Sequence, residues 1–444
     1  MTTTKPDRIA YVINSLERGG AQSLLVDFIR RVDRSRVQPF VVYLKKKSEL
    51  APLFDKMGVP NLHIRVSAKM YTQEIKALAQ WFANHQIDIV HAHTDTASFA
   101  ARLAGFYYTK AHTIAHYHSN YGRRVNQQYR ELETLLGPYT DAYVGCSNTV
   151  TDFMIQELKL NRFPLMTIMN GIDLQPFLRG TIDHKKRRVE RGIPTDVFHL
   201  IHVARLNPVK RPDRVLDLLA EAIRQEKHWM DNFRLTFVGD GEMRMELETT
   251  IRLYDEEFRK KALPKLSEKV VFVGTSDIVP QWLAAADAYI LLSEMEGLPI
   301  AVIEALAAGL PCIVSDIEPM RAVIKHEENG FLIDPENREL GVQMLERIVL
   351  DRQNKLDMHN KAVSSAQKYS LDNYLRETLE LYDTVKQKPP RMRKVNFLTR
   401  TLLMNKAHQL IKGIMDLHKD QKTDAIEKAA QKLGALQEAE DKIE

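Results

Sequence analysis

Short apolar runs alternate with segments of helical period along most of the chain, in two successive series. In the first, "RIAYVINSL", "PFVVYLK", "LHIRV", "DIVHAH", "AHTIAHYHS", "AYVGCS" and "LMTIMNGID" read as buried strands. Between them lie "AQSLLVDFIRRV", "ELAPLFDKMG", "QEIKALAQWFANH", "TASFAARLAGFY", "VNQQYRELETLLG" and "NTVTDFMIQEL", each with an apolar stripe at helical spacing. Strands that are apolar throughout, each followed by an amphipathic helix, predict parallel βαβ units with helices on both faces of the sheet. Residues 172–196 break the alternation with the charged run "RGTIDHKKRRVERGIPTD". A second series follows: "HLIHVARL", "RVLDLLAEAIRQ", "RLTFVGDG", "MRMELETTIRLYDEEF", "KVVFVG", "IVPQWLAAA", "DAYILLS", "PIAVIEALAAG" and "PCIVS". We therefore expect an α/β protein of two Rossmann-like domains, over residues 1–180 and 195–370, facing across a cleft. The length of 444 residues fits about two or three domains. The two series differ in sequence, so this is a repeated architecture and not a short-period repeat.

After Gly330, "FLIDPEN" reads as a last strand, with helices to about residue 387 and a breaker, "KPP", at 388–390. Residues 391–412 carry basic residues and no acidic one. Leu403, Ala407, Leu410, Ile414 and Leu417 recur at spacings of four and three, which predicts an amphipathic helix. Residues 388–444 are thus expected to form a helical tail, too poor in apolar surface to fold alone.

The net charge of +5 suits an anionic ligand or membrane surface and is too weak to argue for nucleic acid. Cys146 and Cys312 lie in apolar strand-like runs and read as free core thiols in a reducing compartment. "MTTTKPDRIAYVINSL" lacks the pattern of a signal peptide, and no stretch approaches the roughly 20 apolar residues of a membrane span. The expectation is a cytoplasmic protein.

In open α/β sheets, ligands bind outside the carboxyl ends of the strands, and three motifs fall there. Gly19 and Gly20 follow the first strand, where a backbone without side chains lets a ligand approach the helix N-terminus. They form neither G-x-G-x-x-G nor a P-loop. In "VARLNPVKRPD", Arg205 and Lys210 flank the loop after a strand, a planar fork and a compact charge suited to a diphosphate. In "SEMEGLPIAVIEALAAG", Glu296 lies in the loop before a helix and Glu304 on it, with Pro299 suited to the first turn. The amides of Gly297, Leu298, Pro299's successor Ile300 and their neighbours favour an anion. On pattern alone the two glutamates read equally well as a helix-terminus charge and a solvated face.

The run from Glu296 to Asp316, with its seven residues between the two glutamates, resembles the E-x(7)-E signature of retaining GT-B glycosyltransferases of the large family-four group. "RGGAQ", "NGID", "VARLNPVKRPD", "FVGDG", "VVFVG" and "NGFLID" match the same family in order, over about residues 8–385. The resemblance implies transfer of a sugar from a nucleotide-sugar, UDP by default, to a hydroxyl of a glycan or lipid-linked acceptor with retention at the anomeric carbon. The C-terminal domain would hold the donor and the N-terminal domain the acceptor. By similarity Arg205 and Lys210 would bind the diphosphate, Glu304 the ribose, and Glu296 with Gly297, Leu298 and Pro299 the transferred sugar. Gly274 and Thr275 would frame the base, and Gly19 and Gly20 would lie near the donor phosphates. A helix at about 371–387 would cross back to the first domain. No D-x-D occurs, so no essential divalent metal is expected, the protein's own cations taking that part. Catalytic roles then fall to Glu296, Arg205, Lys210 and a histidine. A sugar-nucleotide epimerase-like relative and a non-catalytic binding partner are the rival readings.

His91 and His93 end one strand, and His116 and His118 another. H-x-H puts both rings on one strand face, but no third metal ligand stands out by spacing. Family enzymes carry an active-site histidine near the second pair. His118 is preferred because it is nearer the strand end, with His116 the alternative as an acceptor contact and Asp95 a further one. The basic tail suits peripheral contact with an anionic membrane, which would fit a lipid-linked acceptor.

Overall fold

The computed structural model describes residues 5–46, 48–66, 71–105, 107–108, 110–119, 126–178, 184–350, 352–391, 401–407 and 409–410. The chain divides into two units, residues 1–172 with 371–425, and 173–370 with the last residues 426–444.

The first unit is built on seven strands: β1 (Asp7–Ile13), β2 (Val37–Tyr43), β3 (Asn61–His63), β4 (Ile89–His93), β5 (His112–Tyr117), β6 (Ala142–Gly145) and β7 (Leu165–Thr167). Their order is β3-β2-β1-β4-β5-β6-β7, and every pair is parallel. β4 and β5 are buried along their whole length, as parallel strands covered on both faces are, although they carry His91, His93, His112 and His116. Ile9, Tyr11 and Ile13 of β1 pack against Leu24, Leu25 and Phe28 of the helix Gly20–Arg31. The same core takes in Leu371, Tyr374, Leu381 and Tyr382 of the helix Leu371–Lys386. Ion pairs from that helix to Arg31, Arg36 and Asp7 are exposed and add little beside this apolar burial.

A polar knot crosses the other part of this unit. Arg102 and Glu133, both fully buried, form a bidentate pair with two 2.7 Å contacts. Tyr143 accepts from Arg102 at 2.8 Å and donates to Glu133 at 2.9 Å, and the Tyr117 hydroxyl donates to the same carboxylate.

The second unit carries β8 (Phe198–Val203), β9 (Phe233–Val238), β10 (Val270–Gly274), β11 (Ala288–Leu291), β12 (Cys312–Ser315) and β13 (Gly330–Ile333), all parallel, in the order β10-β9-β8-β11-β12-β13. Its core joins Leu235 and Phe237 of β9, Ile290 of β11 and the apolar face of the helix Pro212–Arg224.

Both sheets therefore reverse their strand order once, between β1 and β4 and between β8 and β11. That reversal parts two neighbouring loops at the strand ends and leaves a crevice there, the usual ligand position in such sheets. The cysteines are both buried free thiols. No helix among the described residues is long and apolar enough to cross a membrane. Of the tail, residues 401–407 and 409–410 are helical. Met404, Ala407 and Leu410 are buried, Leu403 is half-buried and Leu402 is exposed, so most of the described apolar face is covered by protein. Ile414 and Leu417 lie outside the described residues.

Candidate active site

The loops after β8 and β11 meet at the reversal point of the second sheet. Lys210 Nζ donates to both oxygens of Glu296, at 2.6 and 2.7 Å. Ser293 Oγ donates to Glu296 Oε1 at 2.7 Å, and Ser315 Oγ holds the Ser293 carbonyl at 2.6 Å. Glu296 is buried, with 8% of its surface exposed. The backbones of the two loops are joined as well, by the Glu294 amide on the Val209 carbonyl at 2.9 Å. Asn207 Oδ1 accepts the Lys210 amide at 3.0 Å, which shapes the turn into the helix Pro212–Arg224. An ammonium has three donors, so one N–H of Lys210 remains after both carboxylate contacts. Arg205 is exposed in the same loop and enters no ion pair among the described residues. One held cation and one unpaired cation beside a strand end make a site for an anion.

The amides follow from the same loop. Gly297, Leu298 and Pro299 are buried, and Pro299 caps the helix Ile300–Ala307. Glu304 is on that helix and partly exposed. Gly274, at the end of β10, has φ +80, a conformation that favours glycine, and the exposed Thr275 follows it.

Two further glycines shape this site, and sequence reasoning assigned them no role. A Cβ on Gly239 would lie 2.0 Å from the Ala204 carbonyl oxygen, and one on Gly241 2.2 Å from that of Leu206. Gly239 also sits at φ +135. The "FVGDG" turn after β9 thus lies flush against the loop that bears Arg205, and side chains there would push that loop away. Two glycines in three residues after an apolar run was the available signal. Ser293 and Ser315, which orient Glu296, had none.

In the first unit, the residues after β1 and β4 flank the reversal point. Gly19 is extended and precedes the helix Gly20–Arg31, whose N-terminus has no side-chain cap. Asn14 Oδ1 accepts the Ala97 amide at 2.8 Å, tying β1 to the first turn of the helix Asp95–Gly105. Asp95 opens that helix, and its side chain lies outside the described residues. Thr94, just before it, is held at φ 71, an outlier for a β-branched residue.

β4 and β5 set four histidines side by side. His93 pairs in register with His116, and the two-residue period brings His91 and His118 to the same face. His118 stands just beyond β5 and is partly exposed, whereas His116 is buried beneath it, with ring centroids 4.2 Å apart. Burial pushes the His91 ring down to about 3 and His118 to about 4. Burial and neighbouring imidazoles hold His93 and His116 well below the usual range. All four rings are neutral at physiological pH. One expectation is corrected here: a third metal-ligand candidate exists, since His116 joins His91 and His93 in a group whose nitrogens lie within 4.8 Å of one another. Spacing hid it because strand register, not sequence distance, makes the contact.

Known proteins agree with this architecture. The family "Glycosyl transferases group 1" matches residues 183–368, and "Glycosyltransferase Family 4" matches residues 18–176. The chain is 28% identical over 302 residues to the UDP-Gal:alpha-D-GlcNAc-diphosphoundecaprenol alpha-1,3-galactosyltransferase of Escherichia coli, covering 66% of this chain and 74% of that one. It is also 28% identical over 320 residues to EpsF of Bacillus subtilis (strain 168), covering 70% and 79%. Among solved structures, Anabaena HepE in complex with UDP superimposes with a TM-score of 0.71 at 20% identity, over 85% of this chain and 100% of that one.

Two doubly wound parallel sheets of this order, matched over their length by such neighbours, define a protein of the GT-B class. The chain belongs to the group 1 glycosyltransferases of the family-four type, which the two matched regions between them span.

Proposed function

We propose that the chain is a retaining hexosyltransferase that moves a sugar from a nucleotide-sugar, with UDP as the expected nucleotide, to a hydroxyl of a glycan or lipid-linked acceptor in cell-surface polysaccharide or glycolipid synthesis. The observation that carries this reading is the Lys210–Glu296 pair beside Arg205 at the reversal point of the second sheet. The E. coli relative's name gives a UDP-sugar donor and a diphosphoundecaprenol-linked acceptor, and HepE has been solved with UDP and with UDP-glucose.

In this reading Arg205 and the third N–H of Lys210 meet the donor diphosphate. They stabilise the negative charge that develops as the nucleoside diphosphate departs. Glu296 holds the lysine in place and faces the transferred sugar with the amides from Gly297 to Ile300. Its two oxygens are engaged by Lys210 and Ser293, which suits a stabilising carboxylate better than a covalent nucleophile. The acceptor hydroxyl attacks from the face the diphosphate leaves, and the departing phosphate takes its proton. Glu304 accepts from the ribose hydroxyls, and Gly274 and Thr275 border the base. In the first unit, His118 is the proposed catalytic histidine and Asp95 the acceptor contact.

A thermal-shift panel of nucleotides and nucleotide-sugars tests the donor assignment, because stabilisation grows with ligand concentration over affinity. UDP and one UDP-sugar should raise the melting temperature, with and without EDTA. Stabilisation that requires added magnesium would overturn the assignment of the diphosphate to Arg205 and Lys210 alone.

Membrane contact, in this proposal, comes from charge. With Met404, Ala407 and Leu410 buried, basic residues of the tail meet an anionic surface without insertion. Binding to anionic vesicles should therefore fall steeply with salt and be lost on truncation after Lys388. Salt-independent binding, or binding that survives truncation, would contradict it.

A further inference from the structure

The four-histidine array of the first unit does more than fill space. Its rings stack in two rows, His91 on His93 at 4.4 Å and His116 on His118 at 4.2 Å between centroids. Hydrogen bonds run across the rows. The Tyr382 hydroxyl meets His91 Nδ1 at 2.7 Å, and His91 Nε2 meets His116 Nδ1 at 3.2 Å. His93 Nδ1 meets His118 Nε2 at 2.9 Å, and His118 Nδ1 meets Asn170 at 3.3 Å. Both chains of contacts end on a nitrogen with no protein partner, His116 Nε2 in one and His93 Nε2 in the other. His93 and His116 are at least 98% buried, so water from bulk does not readily serve those atoms. Buried polar atoms are nearly always paired.

We propose that His91, His93 and His116 bind one divalent transition-metal ion of the zinc class, a site distinct from the donor site of the second unit. Three neutral imidazoles are the ligand set such an ion prefers, with a fourth position left for water. The candidate nitrogens lie within 4.8 Å of one another. Zinc–imidazole bonds of about 2.1 Å require them to close to roughly 3.4 Å. Closing that distance requires the His91 and His93 rings to turn out of their stacked arrangement, and the long His91–His116 contact is given up. Tyr382 already holds the outer nitrogen of His91, the kind of second partner that fixes a ligating ring. His118, the one partly exposed ring of the four, marks the side from which an ion enters. By contrast, His202 in β8 also has a buried nitrogen without a partner, but no other ligand residue groups with it among the described residues. The proposal does not rest on sugar transfer and survives its failure.

The test uses the full chain, dialysed against EDTA and then titrated with CoCl2 and ZnCl2. Cobalt should bind at about one ion per chain with the intense visible bands of tetrahedral coordination. Zinc should displace it and raise the melting temperature. His93→Gln and His116→Gln should each weaken binding at least about tenfold, while His202→Gln leaves it unchanged. Absence of the visible bands in the wild-type protein overturns the proposal, whether or not the variants fold. Full-affinity binding in His116→Gln overturns it as well.

Discussion

Lys210→Ala should lower kcat/KM for the donor at least about tenfold, the scale of one charge-assisted hydrogen bond of roughly 1.5–3 kcal/mol. The loss is expected on two counts. The cation facing the diphosphate disappears, and Glu296 loses the partner that binds both its oxygens. Lys210→Arg should not restore full activity, since a planar fork cannot satisfy Glu296 and a phosphate in the geometry of a compact ammonium. Initial rates of donor consumption, measured across donor concentration, check this. A variant with wild-type kcat/KM would remove Lys210 from the donor site.

The largest stability effect is expected in the buried polar knot of the first unit. Arg102→Ala leaves Glu133 fully buried with its two arginine contacts gone and only tyrosine hydroxyls in their place. Breaking a buried pair in this way costs about 3–5 kcal/mol, which for a unit of this size lowers the melting temperature by roughly 10 °C. Replacing both partners by apolar residues, Arg102→Met with Glu133→Leu, should recover much of the loss, because no uncompensated charge then remains. Calorimetric melts of the three proteins decide it. A single variant that melts with the wild type would mean that the pair contributes nothing to the first unit.

The strands were readable because parallel strands covered on both faces are largely apolar, so "PFVVYLK" and "DAYILLS" stand out against the helices between them. The loop positions of Arg205, Lys210 and Glu296 were readable for the same reason, since they follow such runs. What joins them was not. Lys210 and Glu296 are 86 residues apart and meet only because β8 and β11 are neighbours across the strand-order reversal. His116 escaped recognition as a partner of His91 and His93 on the same ground, being brought beside them by the register of β4 and β5. The tail shows a different limit. Its periodicity announced an apolar face, but periodicity does not say what covers that face, and Met404, Ala407 and Leu410 are buried against protein.

The central claim is that the strand-order reversal of the second unit is where the nucleotide sits, with diphosphate and ribose held by different side chains. Calorimetric titration of UDP and of uridine into wild type, Lys210→Ala and Glu304→Ala tests it most directly. The account predicts that Lys210→Ala weakens UDP at least about tenfold and leaves uridine unchanged, whereas Glu304→Ala weakens both. UDP binding that is unaltered by either substitution would contradict it.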